Sequence, residues 1–331
     1  MQYPKRIQLA NLPTPITKLE RFPMPGSETQ IWVKRDELTG TEVSGNKIRK
    51  LEFSLAEALE QGCDTVITCG GLQSNHCRCT AIVCSRLGLK VHLILRGDKP
   101  EQPAGNLLLD YLAGAQITYV HPKDWDGHED LARELQEDYA SGGSKAFFIP
   151  IGASDEVGLW GYIAASEELN KDFERLSMTP DYIVTATGSG GTQGGLLVGS
   201  ELFDLPGKVL AFNVCDDAAY FDKKIHKDVA LWKQRYNMDL DLQKIEVNTI
   251  EGYMGAGYGI ASKDVFGTIV ELARTEGLFL DPVYTGKAFH GMVKEIQKGK
   301  SGCMPGADNV VFVHTGGLFG VFPQQDNFSF E

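Results

Sequence analysis

The chain has 331 residues, with 32 Lys and Arg against 44 Asp and Glu for a formal net charge of −12. That balance excludes a nucleic-acid binder built on a basic face, and no apolar run approaches the roughly 18 residues a membrane-spanning helix needs. Length predicts two domains or one large one; the 37 glycines, about 11% against roughly 7% in average chains, form no period or tract and so are read as turns in a folded structure.

The opening Met1-Gln2-Tyr3-Pro4-Lys5-Arg6 lacks the apolar stretch of a secretory signal. The cysteines number seven, an odd count, and four of them (Cys69, Cys77, Cys79, Cys84) crowd one apolar segment, so they are read as reduced thiols of a cytoplasmic protein. His76, Cys77 and Cys79 lack the second pair a metal site wants, and the plainer reading is small cysteines buried on a helix; no metal is expected.

The first loop of interest is Ser44-Gly45-Asn46-Lys47, followed by a helix with Ile48, Leu51, Leu55, Ala58 and Leu59 at helical spacing. Lys47 falls in the first turn at the edge of the apolar stripe, with Arg49 and Lys50 pointing elsewhere. The positive end of the helix dipole and partial burial both disfavour its ammonium form, which suits a Schiff-base lysine. Next come a strand over 64–69, a helix over 74–87, a strand over 90–95, a helix over 104–113 and a strand over 116–120. A helix over 128–140 and a strand over 146–149 follow. The second half has a strand over 181–186, a helix over 192–203 and strands over 208–214 and 309–313. This alternation predicts parallel sheets with helices on both faces, in two α/β domains.

Ligands of open α/β sheets bind beyond the carboxyl ends of the strands. Cys69-Gly70-Gly71-Leu72-Gln73-Ser74-Asn75-His76 is such a place: Ser74 is placed to cap the next helix, and the free N–H groups there suit a carboxylate or phosphate. Thr187-Gly188-Ser189-Gly190-Gly191-Thr192 links a strand to a helix, as a phosphate nest requires. It is not a Walker loop, and its Rossmann pattern breaks at Gln193, although Asp216 and Asp217 stand where a ribose-binding acid would. A nicotinamide-dependent oxidoreductase therefore stays open as a reading from another class. Asp281-Pro282-Val283-Tyr284-Thr285-Gly286-Lys287 and His314-Thr315-Gly316-Gly317 complete the set, with Thr315 expected at a sheet's carboxyl edge. His314 is read as a buried strand histidine. Glycines in and beside these segments, Gly194 and Gly195 among them, are expected to converge on one crevice.

Taken together, from Leu12-Pro13-Thr14-Pro15 and Lys34-Arg35-Asp36 to the terminal His-Thr-Gly-Gly, these segments resemble the fold-type II pyridoxal-phosphate enzymes. The closer resemblance is to the branch containing 1-aminocyclopropane-1-carboxylate deaminase and D-cysteine desulfhydrase. It implies two open twisted α/β domains of the tryptophan synthase β-like kind: a large cofactor domain of residues 1–47 and 161–331, and a small mobile domain of residues 48–160. It also implies pyridoxal 5'-phosphate as cofactor, a small amino-acid substrate and a homodimer. By the same resemblance, Lys47 matches the lysine that binds the cofactor covalently. Gly188, Ser189, Gly190, Gly191 and Thr192 match the phosphate cradle, and Asn75 the partner of the pyridoxal ring oxygen. Ser74 matches the assigned catalytic serine of the substrate-carboxylate loop, formed by Gln73, Ser74, Asn75 and His76. Tyr284 and Tyr258 (in Gly257-Tyr258-Gly259) match the two active-site tyrosines, and Thr285, Thr315 and Gly316 complete the substrate and cofactor contacts.

The ring-opening deaminases carry a glutamate after the tyrosine of Asp-Pro-Val-Tyr, a leucine in His-x-Gly-Gly and a glutamine after Ser-Asn. Here those positions are Thr285, Thr315 and His76, as in the desulfhydrase members. A neutral threonine stabilises a protonated pyridine ring less than a glutamate does, and loss of thiolate needs less electron withdrawal than strained-ring opening. The expected reaction is β-elimination of D-cysteine to pyruvate, hydrogen sulfide and ammonia, with Lys47, or Tyr284 as phenolate, removing the Cα proton. Deamination of 1-aminocyclopropane-1-carboxylate, elimination from L-cysteate or β-chloro-D-alanine, and racemisation are the alternatives within the family.

Overall fold

A computed structural model describes residues 1–330. Two sheets organise it. The chain enters through strands β1 (Ile16–Lys18) and β2 (Gln30–Lys34), then helix α1 (Asn46–Glu60). Strands β3 (Thr65–Gly71), β4 (Lys90–Arg96), β5 (Gln116–Val120) and β6 (Ala146–Ile149) alternate with helices α2 (Asn75–Leu87), α3 (Gly105–Leu112) and α4 (His128–Ser141). These four strands form an all-parallel sheet in the order β5-β4-β3-β6. After α5 (Leu159–Leu176) the chain returns to the first sheet with β7 (Tyr182–Thr187), α6 (Gly191–Phe203), β8 (Lys208–Asn213), α7 (Ala218–Tyr236) and β9 (Thr249–Ile250). Helices α8 (Lys263–Glu276) and α9 (Thr285–Gln297) precede β10 (Asn309–Val313). The larger sheet runs β1-β2-β10-β7-β8-β9 and is parallel except for β1.

The alternation expected over 64–149 is present element for element. The entry strands β1 and β2, the short β9, and helices α5, α7, α8 and α9 have no counterpart among the expected elements. Burial accounts for the legible part: β3 is buried at six of seven positions, the continuous apolar reading of a strand covered on both faces. Helix ends also follow local rules. Ser74 Oγ accepts from Cys77 N at 3.1 Å, and Gly88 ends α2 in the left-handed region at φ 71°. Asp217 does not stand by for a ribose; it caps α7 by accepting from Tyr220 N at 2.7 Å.

Helix α1 is shared between the two units. Ile48, Leu51 and Leu55 pack with the four-stranded sheet, whereas Phe53 packs with Trp160 and Leu196 on the side of the larger one. Position 161, where the large domain was expected to resume, lies in the first turn of α5. A Cβ on Gly161 would lie 2.7 Å from the α1 backbone, so α1 and α5 cross at a distance only glycine permits. Gly194 and Gly195 serve the next crossing rather than the crevice: added Cβ atoms would meet Leu159 at 2.9 Å and Tyr162 at 2.6 Å on α5.

A buried ionic network lies beside this crossing. Arg49 donates to Asp36 at 2.7 and 2.9 Å and to Glu168 at 3.0 Å; Lys34 reaches Asp172 at 2.7 Å and Glu168 at 2.5 Å; Tyr162 donates to Asp36 at 2.6 Å. Burial alone would raise the Asp36 pKa, but the Arg49 guanidinium, with Lys34 and the Tyr162 hydroxyl, holds it below the usual carboxylate range. The stabilisation from Asp36 is therefore present above about pH 4 and lost as the pH falls through the lowered value. Replacing Arg49 by Leu leaves the fully buried Asp36 carboxylate without its ion-pair partner and takes one of two cations from Glu168. The expected cost is about 3–5 kcal/mol, read as a lower chemical-denaturation midpoint; a midpoint equal to wild type would show the network to be dispensable. No described helix is long and apolar enough to cross a membrane.

Candidate active site

The carboxyl ends of both sheets open on one cavity of about 610 Å³. Two glycine loops bring them together. Gly45 stands at φ 111°, and a Cβ there would lie 2.5 Å from the Thr315 carbonyl oxygen; one on Gly316 would lie 2.7 Å from the Gly45 Cα. The loop before α1 is thus pressed onto the loop after β10, and Asn46 N donates to Thr315 O at 3.1 Å. This contact sets Lys47 in the cavity wall. Burial pushes the Lys47 pKa down from 10.5 to about 8, opposed only by Cys79; the dipole of α1 acts in the same sense.

Ser74, Asn75 and His76 line the wall at the start of α2, and Gly188, Ser189, Gly190 and Thr192 the wall at the start of α6; Thr315, Gly316, Tyr258 and Tyr284 complete it. Gly191 lies just behind. A Cβ there would meet Ser154 Oγ at 2.5 Å and Lys50 Nζ at 2.8 Å, so the backbone must be bare for these groups to approach. Lys50 Nζ bonds Gly152 O and Ser154 Oγ, both at 3.2 Å, and Ser154 Oγ lies 2.8 Å from Ser189 Oγ. Lys224 donates to Ser154 O at 3.0 Å. Burial, with Lys47 and Lys224 nearby, holds the Lys50 pKa well below the ordinary lysine range. Two amino groups, two hydroxyls and the first N–H groups of α6 converge here, a donor set suited to a phosphate dianion.

Lys50 and Lys224 were not expected at the site. Lys50 stands three residues after Lys47, off the apolar stripe of α1, and so reads in sequence like a solvent-facing residue. Two expected residues lie elsewhere. Gln73 sits outside the cavity wall, donating to Ala104 O and accepting from Asn106 N, both at 3.0 Å, which fastens α3. Thr285 is fully buried with its hydroxyl occupied: it donates to Asp281 Oδ1 at 2.7 Å and accepts from Asp281 N at 2.9 Å. It is Asp281 that lines the cavity, its carboxylate already holding the N–H groups of Val283, Tyr284 and Thr285 at 2.8–2.9 Å.

Tyr258 and Tyr284 share a hydroxyl hydrogen bond of 2.5 Å, which consumes one O–H and leaves the other for a third group. Burial pushes Tyr258 up to about 12 and, with Tyr258 beside it, Tyr284 well above its usual value. In the free chain these shifts favour the phenol form of both tyrosines. His76 is fixed in charge and tautomer. Thr68 Oγ1 gives its only proton to Ile149 O at 2.7 Å, so His76 Nε2, at 2.7 Å, must donate to it, leaving Nδ1 as an unpartnered buried acceptor. Burial and the two lysines keep this ring neutral. His314 is buried as expected but lies one residue beyond the end of β10, accepting from Gly316 N at 3.2 Å. Arg96 closes the rim, 5.6 Å above the Trp125 ring and 5.7 Å above Tyr258. Among the described residues no cluster of His, Cys, Asp or Glu is arranged to hold a metal.

Residues 7–316 match the family of pyridoxal-phosphate dependent enzymes. The chain belongs to that family. It is 41% identical over 96% of its length, and 79% of the relative's, to the mitochondrial bifunctional D-cysteine desulfhydrase/1-aminocyclopropane-1-carboxylate deaminase of Arabidopsis thaliana. It is 35% identical to the D-cysteine desulfhydrase of Klebsiella pneumoniae, over 96% of this chain and 95% of that one. The solved structure of an ACC deaminase homologue superposes with a TM-score of 0.86 at 33% identity, covering 97% of this chain and 94% of the other. The fold is thus fold-type II and the cofactor pyridoxal phosphate. The cavity fits that group: it offers a cradle of bare glycine backbone and buried amines for a phosphate, and a desolvated lysine for an aldehyde.

The Lys47 amine can be tested without the cofactor. In the cofactor-free protein, acylation of Lys47, followed by peptide mass, is expected to reach half its plateau rate near pH 8. A half-point near 10.5 would show an ordinary, solvated lysine.

Proposed function

We propose that the protein is a D-cysteine desulfhydrase, a carbon–sulfur lyase that converts D-cysteine and water to pyruvate, hydrogen sulfide and ammonia. The observation that carries this reading is position 285. Where the ring-opening deaminases place a glutamate, Thr285 is neutral, buried and bonded to Asp281, and it gives the cavity no carboxylate. The names of the relatives support the same activity while including the deaminase.

In this reading the phosphate is held by the N–H groups of Gly188–Thr192 with Lys50, Ser189 and Lys224, and the ring oxygen by Asn75. When bound, the cofactor takes up the electron pair left as Cα loses its proton. The substrate carboxylate is held at the N-terminus of α2 by Ser74 and the free N–H groups there. Lys47, with its pKa lowered to about 8, takes the Cα proton, because such an amine keeps a usable free-base fraction at neutral pH and is basic enough. The Tyr258–Tyr284 pair remains protonated and donates at the departing sulfur. His76, neutral and an acceptor at Nδ1, and Thr315 complete the substrate pocket. The smaller unit, residues 48–160, closes over the substrate and excludes water. The family resemblance also carries a homodimer, and the free cysteines a cytoplasmic setting.

The deciding assay measures sulfide and pyruvate from D-cysteine beside 2-oxobutyrate from 1-aminocyclopropane-1-carboxylate. D-Cysteine is expected to be the better substrate by kcat/KM; substantial 2-oxobutyrate would assign the deaminase instead. Lys47→Ala is expected to lose turnover by about a thousandfold and to retain no cofactor after borohydride reduction and denaturation. Cofactor still trapped covalently at another residue would refute the assignment of Lys47.

A further inference from the structure

Asn106, at the start of α3, lies outside the cavity wall, is completely buried, and has an amide oxygen with no described partner. Its Nδ2 makes two bonds of 3.1 Å, to the Gln73 carbonyl oxygen and to Asn75 Oδ1. The orientation of both amides follows from these bonds. A backbone carbonyl can only accept, so the Asn106 atom facing it must be the NH2 group. The Asn75 atom facing that NH2 must then be the oxygen. With Oδ1 turned to Asn106 behind the wall, the Asn75 group left to face a ligand is its NH2. Asn106 is itself clamped: its own N–H donates to Gln73 Oε1 at 3.0 Å, and Gly105, at φ 56°, is so enclosed that a Cβ would lie 2.6 Å from Gln73, Phe319 and Pro323 atoms.

We infer that Asn106 is a positioning residue that fixes the Asn75 amide with its NH2 as the only group offered to the cavity, so that this wall selects an acceptor oxygen and rejects a donor. The inference rests on the assignment of Asn75 to the cofactor's ring oxygen, and it gives Gln73 an indirect part in the site through its carbonyl. An amide free to turn would present oxygen to oxygen half the time, and a carboxylate at position 106 would force that orientation.

The test is a double-mutant cycle on cofactor affinity, measured by titrating resolved enzyme with pyridoxal 5'-phosphate and following its visible absorbance. Asn106→Leu and Asn75→Ala are each expected to weaken binding about tenfold or more, the loss of one hydrogen bond to a charged acceptor, and the double variant no further than Asn75→Ala. Asn106→Asp is expected to weaken it more than Asn106→Leu does. The thermal midpoint of each cofactor-free variant checks folding, and Asn106→Ser carries the cycle if Asn106→Leu does not fold. Wild-type affinity in the Asn106 variants, multiplying losses in the double variant, or a silent Asn75→Ala would each overturn the inference. Because the readout is cofactor affinity, it is independent of whether D-cysteine is the substrate.

Discussion

Two lysines one helical turn apart, Lys47 and Lys50, are held in a desolvated cleft with no described carboxylate in salt-bridge contact, and the glycine loops around them follow from that constraint. Lys34 and Arg49, also buried, are neutralised within the fold by Asp36, Glu168 and Asp172. Lys47 and Lys50 are not: both pKa values are pushed down by burial, and Lys47 further lowers that of Lys50. A desolvated amine is costly to keep as a cation and useful as a nucleophile or base. Lys47 faces the cavity, whereas Lys50 lies behind the glycine cradle, bonded to Gly152 O and Ser154 Oγ at 3.2 Å.

The same constraint explains why the glycines matter where they do. Gly45 and Gly316 let two loops touch backbone to backbone, which joins the carboxyl ends of the two sheets at Lys47. Gly191 leaves room for Lys50 and Ser154 beneath the start of α6. The groups able to hold an anion at the cavity are therefore local, helix ends and two or three amines, in a chain whose net charge is −12. In the proposed reading an anionic cofactor would be held by these fixed dipoles rather than by the field of the whole protein.

Much of this was legible in the sequence, and what was not had physical reasons. Continuous apolar strands such as β3 and β4 announce a parallel sheet because they are covered on both faces. Glycine turns after them mark the site because only there must backbone approach a ligand. Short edge strands such as β1 carry too few residues for a pattern, and the polar faces of α7 and α8 dilute their periodicity. Lys50 could not be told from a surface lysine, since nothing local reveals that Gly152 and Ser154 arrive from 100 residues away. Gln73 and Thr285 sit beside true wall residues in sequence, yet face the other way. Adjacency along a turn does not fix which side chain enters the cavity. Gly194 and Gly195 were expected at the crevice and instead let α6 lie against α5, a demand of packing indistinguishable in sequence from one of binding.

The central claim is that one cavity, walled by Lys47 on one side and the α6 N-terminus on the other, is where the cofactor sits. A crystal structure of the protein with pyridoxal 5'-phosphate tests it most directly. The account predicts the phosphate on the N–H groups of Gly188–Thr192 with Lys50 within reach, the aldehyde carbon joined to Lys47 Nζ, and the ring oxygen facing the Asn75 NH2. A phosphate seated instead at the N-terminus of α2, or a covalent bond to any other lysine, would contradict it.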